Sequence, residues 1–306
     1  MRRVLLILAA AIIVAGAAFW FLTEPELLDG SALSGLQPGD PARGERFFFA
    51  GGCASCHTAP GEGATELQLG GGGALETEFG TFIAPNISPD PENGIGAWSE
   101  ADFANAMLRG VSPDGEHYYP AFPYTSYARM EPQDVIDLFA FIKTLPPVAE
   151  RAPDHTLSFP FTLRRGLGLW KRLYMHPEPV IALDANASES VVRGRYLVEG
   201  PGHCGECHTP RDFVGGLKYD QWLAGGDAFE GEGRVPNITP GGGIGSWSEG
   251  DIAYYLESGF TPDFDSVGGS MVPVQKNMAR LPAEDREAIA AYLKAVPAVE
   301  EQGNEQ

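Results

Sequence analysis

The chain has 306 residues and carries 41 acidic against 21 basic side chains, which gives a formal net charge of −20. This charge argues against nucleic acid as a partner, because phosphates attract basic surfaces. The length suffices for two domains, each with its own core, and 39 glycines and 25 prolines predict short helices joined by ordered loops.

The first segment, residues 1–24, contains an uncharged and mostly apolar run at positions 4–22. About 20 such residues in a helix span the hydrocarbon core of a membrane. Arg2 and Arg3 favour a cytoplasmic amino terminus, which places the rest of the chain on the exported side, the periplasm in a bacterium. The sequence favours a retained single-pass anchor in the inner membrane, with aromatic residues 19–21 at its outer end. The alternative is a signal peptide cleaved near Ala15-Gly16-Ala17, which would leave a periplasmic protein.

The rest of the chain contains two copies of one sequence repeat. "RGERFFFAGGCASCHT" matches "RGRYLVEGPGHCGECHT", and "APNISPDPENGIGAWSEADF" matches "VPNITPGGGIGSWSEGDI", at an offset of 151 residues at the cysteines. The repeats predict a first domain over residues 38–150 and a second over residues 188–299. Residues 151–187 are expected to form an ordered linker, because a flexible tether would be more polar.

Each repeat is predicted to be helical, and the fold class is all-α, because no run alternates with the period of a strand. Serine caps and terminal glycines delimit a middle helix in each repeat. The predicted helices are residues 42–50 before the first cysteine motif, a middle helix from Ser99 to Gly110 and from Ser248 to Gly259, and a last helix over 132–145 and 282–296.

The four cysteines of the chain all lie in two C-x-x-C-H motifs, the attachment signature of c-type haem. Two thiols one helical turn apart reach the two vinyl groups of a porphyrin, and the adjacent histidine faces the iron. A zinc site lacks an obvious fourth ligand, a thioredoxin-like pair lacks its βαβ context, and two disulfides would leave the repeated histidine unexplained. The prediction is two covalently bound haem c groups, held by Cys53, Cys56 and His57 and by Cys204, Cys207 and His208.

Haem iron in an electron carrier often takes methionine as its second ligand. In the second repeat the sequence favours Met271, in the glycine-rich stretch "GGSMVPV" expected to be a loop, over Met278. The repeated Pro-Asn-Ile triplets at 85–87 and 236–238 are expected to line the haem and serve a ligand through a backbone carbonyl or an asparagine amide, or to be simple turns.

The first repeat has Phe122 at the position that aligns with Met271, and phenylalanine cannot bind iron. Met130 is the favoured sixth ligand, because a loop two residues shorter than its counterpart allows a different path. The alternatives are His117 and an open, five-coordinate iron.

These motifs, with "DGEHYYPAFPYTSYARM" and "FPFTLRRGLGLW", resemble the bacterial two-domain and three-domain cytochromes c that accept electrons within membrane-bound dehydrogenases, including quinohaemoprotein alcohol dehydrogenase. The resemblance implies two tandem class I cytochrome c domains and electron transfer in the periplasm. The alcohol dehydrogenase subunit has three haem domains where this chain has two, and reads "PAMPY" around Phe122, so the alcohol substrate is not implied.

The expected function is a membrane-anchored relay that takes electrons from a dehydrogenase or another donor and passes them towards an oxidase or a cytochrome. Two other functions stay open at this stage. One is a haem enzyme that acts on peroxide or thiosulfate at an open first haem. The other is the electron-transfer subunit of a haem–copper oxidase.

Overall fold

The computed structural model describes residues 1–59, 65–228 and 233–300, and this part of the chain is rich in helix. The helices are α1 Arg2–Leu22, α2 Pro41–Ala50, α3 Cys53–His57, α4 Glu100–Arg109, α5 Tyr124–Tyr127, α6 Pro132–Ile142, α7 Leu167–Tyr174, α8 Glu189–Glu199, α9 Gly205–His208, α10 Glu249–Ser258, α11 Met271–Met278 and α12 Ala283–Ala295. Short 3₁₀ helices cover Arg164–Gly166, Tyr219–Gln221 and Gly243–Ser246.

The caps predicted for the middle helices are present. Ser99 caps α4 and Ser248 caps α10, and in each case an aspartate three residues later accepts a bond from the backbone of the serine. Both helices end at a glycine in the left-handed conformation, Gly110 with φ 59° and Gly259 with φ 78°. These four residues fix the ends of α4 and α10 as the sequence predicts.

Two antiparallel features depart from the expectation of an all-α chain. Strands β1, Ala74–Thr77, and β2, Gly80–Ile83, form a hairpin, and β3, Thr156–Leu157, adds to β2. Strands β4, Gly226–Asp227, and β5, Arg234–Val235, form a second pair. The prediction of no strands was wrong because these strands have two to four residues, too few to show an alternating pattern.

The first and last helices of each repeat cross at a glycine. A Cβ atom on Gly44 would lie 1.9 Å from the carbonyl oxygen of Asp137, and one on Gly194 would lie 1.9 Å from that of Ala288. Helix α2 therefore packs with its backbone directly on α6, and α8 packs in the same way on α12. The buried side chains of both repeats join one hydrophobic cluster.

The outer end of α1 is tied to the body of the protein. This helix has the length and mean hydropathy of a membrane-spanning segment, and none of it is buried. Thr23, which follows it, is fully buried, and its carbonyl accepts a 2.9 Å hydrogen bond from Nε2 of His117. Arg165 Nε donates to the Thr23 hydroxyl at 2.9 Å, and Arg172 Nε donates to the carbonyl of Leu22 at 2.7 Å. Cations and donors thus satisfy the carbonyl end of α1 and its dipole.

The helix crossing predicts opposite effects for two helical glycines. Gly194→Ala should lower the free energy of unfolding by about 2–3 kcal/mol, because the added methyl group forces α8 away from α12. Gly250→Ala is the control, since a Cβ there meets only Ser248 Oγ at 3.6 Å. It should raise stability by about 0.5–1 kcal/mol through better helix propensity. Denaturant titrations of the two holoproteins measure both values, and equal effects would contradict the tight crossing.

The buried imidazole at the end of α1 predicts a loss of stability in acid. Burial lowers the pKa of His117 below its ordinary value, the hydrogen bond to Thr23 acts to raise it, and the charges of Lys171 and Arg165 lower it further. The unfolded chain therefore takes up a proton first as the pH falls through about 6.5, and stability is then lost.

In His117→Gln, unfolding free energies measured between pH 7 and pH 5 should fall less steeply than in the wild type. The difference should reach at most about 1.4 kcal/mol per pH unit, the limit for one proton. Glutamine keeps an amide donor without a titrating group. His155, whose pKa burial also lowers, contributes to both proteins alike. If stability falls equally steeply with pH in the two proteins, His117 does not cause the loss of stability in acid.

Candidate functional site

The first C-x-x-C-H motif forms a single helical turn. Helix α3 begins after Gly52, whose φ of 56° is a conformation that glycine adopts without strain. Cys53 and Cys56 are three positions apart on this turn and project from the same side. Cys53 is half-buried and Cys56 is exposed. One sulfur therefore lies towards the core and the other lies towards solvent.

The second motif repeats this arrangement. Cys204 precedes α9 with helical backbone angles, and His208 is the last residue of the helix. Cys204 is half-buried and Cys207 is exposed, as in the first motif. Burial raises the pKa of Cys204 to about 12, so its sulfur is held as a neutral thiol in these surroundings.

The histidine of each motif makes the same hydrogen bond. Nδ1 of His57 donates to the carbonyl of Pro85 at 2.8 Å, and Nδ1 of His208 donates to that of Pro236 at 2.8 Å. Burial lowers the pKa of both imidazoles, although these bonds act to raise it. A neutral ring with Nδ1–H engaged leaves the lone pair of Nε2 for a metal. These residues fit haem c, with two sulfurs for the tethers and one nitrogen for the iron.

The asparagine after each of these prolines holds the loop in place. Asn86 Nδ2 donates to the carbonyl of Val148 at 2.7 Å, and Asn237 Nδ2 donates to that of Val299 at 2.7 Å. Both carbonyls belong to the segment that follows the last helix of a repeat. The sequence predicts that a backbone carbonyl or an asparagine amide of these loops serves a ligand. In the structure the proline carbonyl contacts the histidine, and the asparagine amide holds the loop in place.

The three methionines considered as sixth ligands lie in different surroundings. Met271 is the first residue of α11 and is half-buried against the core, so the expected loop is a helix at this point. Met278 ends the same helix and is 3% exposed. Met130 lies two residues before α6, is 4% exposed, and packs near Gly200 of the second repeat. Met271 therefore presents more accessible surface than its rival.

Two further positions from the first repeat have other contacts. His117 lies beside the end of α1, with Nε2 on the carbonyl of Thr23. Phe122 is half-buried, and its ring packs edge-on against those of Tyr118 and Tyr127, with centroids 5.7 and 5.6 Å apart. The position that aligns with Met271 is therefore part of an aromatic cluster.

A buried carboxylate lies inside the second motif. Glu206, between the two cysteines, is 8% exposed and accepts hydrogen bonds from Thr125 Oγ1 at 2.7 Å and Ser126 Oγ at 2.8 Å, both in the first repeat. Arg211 Nη2 pairs with its other oxygen at 2.7 Å. Burial acts to raise the pKa of Glu206, but the Arg211 charge and the two hydroxyl groups outweigh burial and lower it. The second motif therefore contains a fixed negative charge paired with an arginine.

The first motif makes the reciprocal contact. Asn277 Nδ2 in α11 of the second repeat donates to Ser55 Oγ, between the cysteines of the first motif, at 2.9 Å. The offset that aligns the cysteines also aligns Ser55 with Glu206 and Ser126 with Asn277. Each motif thus contacts the same segment of the other repeat, as in an interface with two-fold symmetry.

A second pair of contacts follows this symmetry. Arg46 of α2 pairs with Asp285 of α12, and Tyr196 of α8 donates to Asp134 of α6. The two aspartates occupy equivalent positions in the repeats, and Arg46 and Tyr196 lie at equivalent positions in their first helices. Sequence reasoning does not single out these residues. The sequence contains one sign of the contact between the repeats: the second motif has a charged glutamate at the position where the first motif has serine.

Comparison with known proteins agrees with this geometry. The profile of the cytochrome c family matches residues 41–146. A "Diheme cytochrome c-type" protein of Cereibacter sphaeroides is 55% identical over 98% of this chain and 100% of its own length.

Longer relatives are cytochrome subunits of dehydrogenases. The fructose dehydrogenase cytochrome subunit of Gluconobacter japonicus is 38% identical over 86% of this chain and 54% of its own length. The cytochrome c subunit of the quinone alcohol dehydrogenase of Gluconobacter oxydans is 37% identical over 86% of this chain and 56% of its own length. The chain thus spans about half the length of these two relatives. Together with the relative matched from end to end, they show that the chain belongs to the dihaem c-type cytochromes and carries two covalently bound haem c groups.

Proposed function

We propose that this protein is a periplasmic, membrane-anchored cytochrome c that relays electrons from a dehydrogenase towards a terminal oxidase. The observation that carries the proposal is the reciprocal contact between the two motifs, through Ser55 and Asn277 and through Glu206 and Ser126. It holds two redox sites in one fixed arrangement within one chain. The dehydrogenase subunits among the relatives support the donor.

The six motif residues are proposed to hold the cofactors. Thioether bonds form at Cys53 and Cys56 in the first repeat, and the equivalent cysteines serve the second. His57 and His208 bind iron through Nε2, because Nδ1 of each is held by a proline carbonyl. The haem groups supply one-electron redox chemistry. The chain supplies the ligands, the burial and the charges that set the two potentials.

The sixth ligands are proposed to be Met271 and Met130. The surface that Met271 presents supports the first assignment. For the first repeat, Met130 is a sulfur donor near the contact between the repeats, whereas His117 is engaged with the end of α1. The repeats, residues 38–150 and 188–299, form two tandem class I cytochrome c domains joined by the ordered linker 151–187.

The anchor is proposed to be α1, retained in the mature protein. The hydrogen bonds on the carbonyl of Leu22 and on both oxygens of Thr23 support this, since they use the end of the helix as part of the folded body. Removal of residues 1–17 by a signal peptidase would leave Phe19 and Trp20 at a free terminus in water.

Single-motif variants test the relay. Cys53→Ser with Cys56→Ser, and separately Cys204→Ser with Cys207→Ser, should each leave one covalently bound haem, measured by intact mass and haem content per chain. Potentiometric titration of the wild type should resolve two one-electron steps, and each variant should lose a different one. Two haems in either variant would contradict the assignment of the cysteines.

The relay can also be tested in cells that express each variant in place of the wild-type chain, by measuring their oxygen uptake. Oxygen uptake on alcohol, sugar or gluconate substrates should fall to the level of cells without the protein in both variants, because a relay needs both sites. Full uptake with either single-haem chain would show that electrons do not pass through both. Turnover of peroxide or thiosulfate by the purified wild type would instead favour an enzyme.

Two methionines of α11 provide a matched test of the sixth ligand. Met271→Leu should abolish one equivalent of the long-wavelength charge-transfer absorption of methionine-ligated ferric haem and lower one of the two potentials, because methionine ligation raises the potential. Met278→Leu should leave the spectrum unchanged and alter stability by less than about 1.5 kcal/mol, as a volume-conserving change in the core. The reverse pattern would assign Met278 as the ligand.

A further inference from the structure

We propose that part of the linker between the repeats, residues 159–173, lies on the outer surface of the bilayer, around the point where α1 leaves it. This segment is called the connector below. The lipid face consists of five exposed apolar side chains, Phe159, Phe161, Leu163, Leu169 and Leu173. The inference rests on the proposed membrane anchor and goes beyond it, because it gives the body of the protein a second contact with lipid.

The exposure of these side chains calls for a partner. Phe159 is 79% exposed and Leu173 is 65% exposed, and all five belong to a segment of fifteen residues. Single exposed hydrophobic residues are common on protein surfaces, but five within one segment of this length are the pattern of a binding surface. Leucine and phenylalanine beside arginine form the composition of segments that lie in the membrane interface.

The spacing along the connector places this face next to α1. Arg165, Leu169, Arg172 and Leu173 follow one another at intervals of four, three and one, so they share one side of the helical segment. Arg165 and Arg172 are the residues that bond the last residues of α1. The two leucines on the same side therefore flank the exit of α1 from the membrane.

The attachment of the connector to α1 is close. Arg165 Nη2 donates to the carbonyl of Trp20 at 2.7 Å, and its guanidinium lies 4.2 Å from the centroid of the Trp20 ring. Gly168 packs on Thr23, where a Cβ atom would lie 2.6 Å from Cα of Thr23. These contacts place the connector at the level at which α1 ends.

The charges of the segment also select a lipid surface. Residues 159–173 contain four basic side chains and no acidic one, although the chain has a net charge of −20. Lys171 is buried on the carbonyls of Arg109 and Gly110, and Arg164 pairs with Glu116, so Arg165 and Arg172 are the two cations beside α1. Arg165 and Arg172 lie where α1 meets the headgroups, and anionic headgroups attract such cations. Arg172 also pairs with Glu26 at 3.0 Å, which fixes its position beside α1. Continuity with the anchor therefore favours lipid over a protein partner, and the charge of Arg165 adds to this preference.

The test uses the full-length holoprotein in nanodiscs of phosphatidylethanolamine and phosphatidylglycerol that contain a phospholipid with a photoactivatable acyl chain. After irradiation, mass spectrometry of peptic peptides should find lipid adducts in α1 and in residues 159–173. Phe264, in the second repeat, is 89% exposed, so peptides that contain it are a control for exposure alone and should carry none.

Variants separate the lipid face from the anchor. Leu169→Glu with Leu173→Glu should reduce the connector adducts at least about fivefold, because charged groups do not enter the acyl boundary, and should leave the α1 adducts unchanged. Phe264→Glu is the control on a remote exposed side chain and should change neither. Haem content confirms that each variant has matured, and the wild-type adduct map is decisive without the variants.

Adducts in α1 with none in the connector would overturn the lipid face and leave the anchor standing. If intact mass shows that α1 has been removed from the mature chain, the proposed anchor fails. Binding of that shorter mature protein to vesicles of the same lipids then decides the lipid face separately. Binding that the leucine double variant abolishes supports the lipid face, and absence of binding overturns it.

Discussion

The hydrogen bond between the motif histidine and a proline carbonyl is the interaction on which the rest of this structure depends. It holds Nδ1 of the histidine beside the two cysteines and leaves Nε2 as the one nitrogen that could bind the iron, as the proposed function requires. The loop that supplies the carbonyl is itself braced by Asn86 or Asn237 against the segment after the last helix. The helix crossing at Gly44 or Gly194 therefore positions the ligand indirectly, through the chain that follows that helix.

Duplication accounts for the contact between the repeats, and the differences between the copies give the two motifs unequal surroundings. Each motif offers its third position to the other repeat, but Ser55 is neutral whereas Glu206 is a buried carboxylate paired with Arg211. The potential of a haem depends on nearby charge and burial. Two copies of one unit therefore need only a few substitutions at their interface to acquire unequal potentials.

The sequence predicts most of the helices, because caps and terminal glycines act locally. Ser99 and Gly259 could be identified without any knowledge of the fold. The short strands and the first residue of α11 could not, since they depend on pairing and packing with distant segments. The same reason hides the contact of His203 Nε2 with the carbonyl of Gly51, 3.1 Å apart across the repeats. The residues inside a motif can be identified from the sequence, but the residues that they contact in the other repeat cannot.

Under the proposed anchor and lipid face, the connector explains how an acidic protein would lie against an acidic membrane. Most of the net charge of −20 belongs to the body, and it is repelled by anionic headgroups. Basic side chains in residues 164–172 interrupt that charge where α1 ends, and two of them are bonded to α1. The connector, next to the end of α1, would be attracted to the headgroups, and the body, farther from that point, would be repelled. Together with the attachment at Thr23, they would favour one orientation of the two haem sites above the membrane, which a flexible tether would not provide.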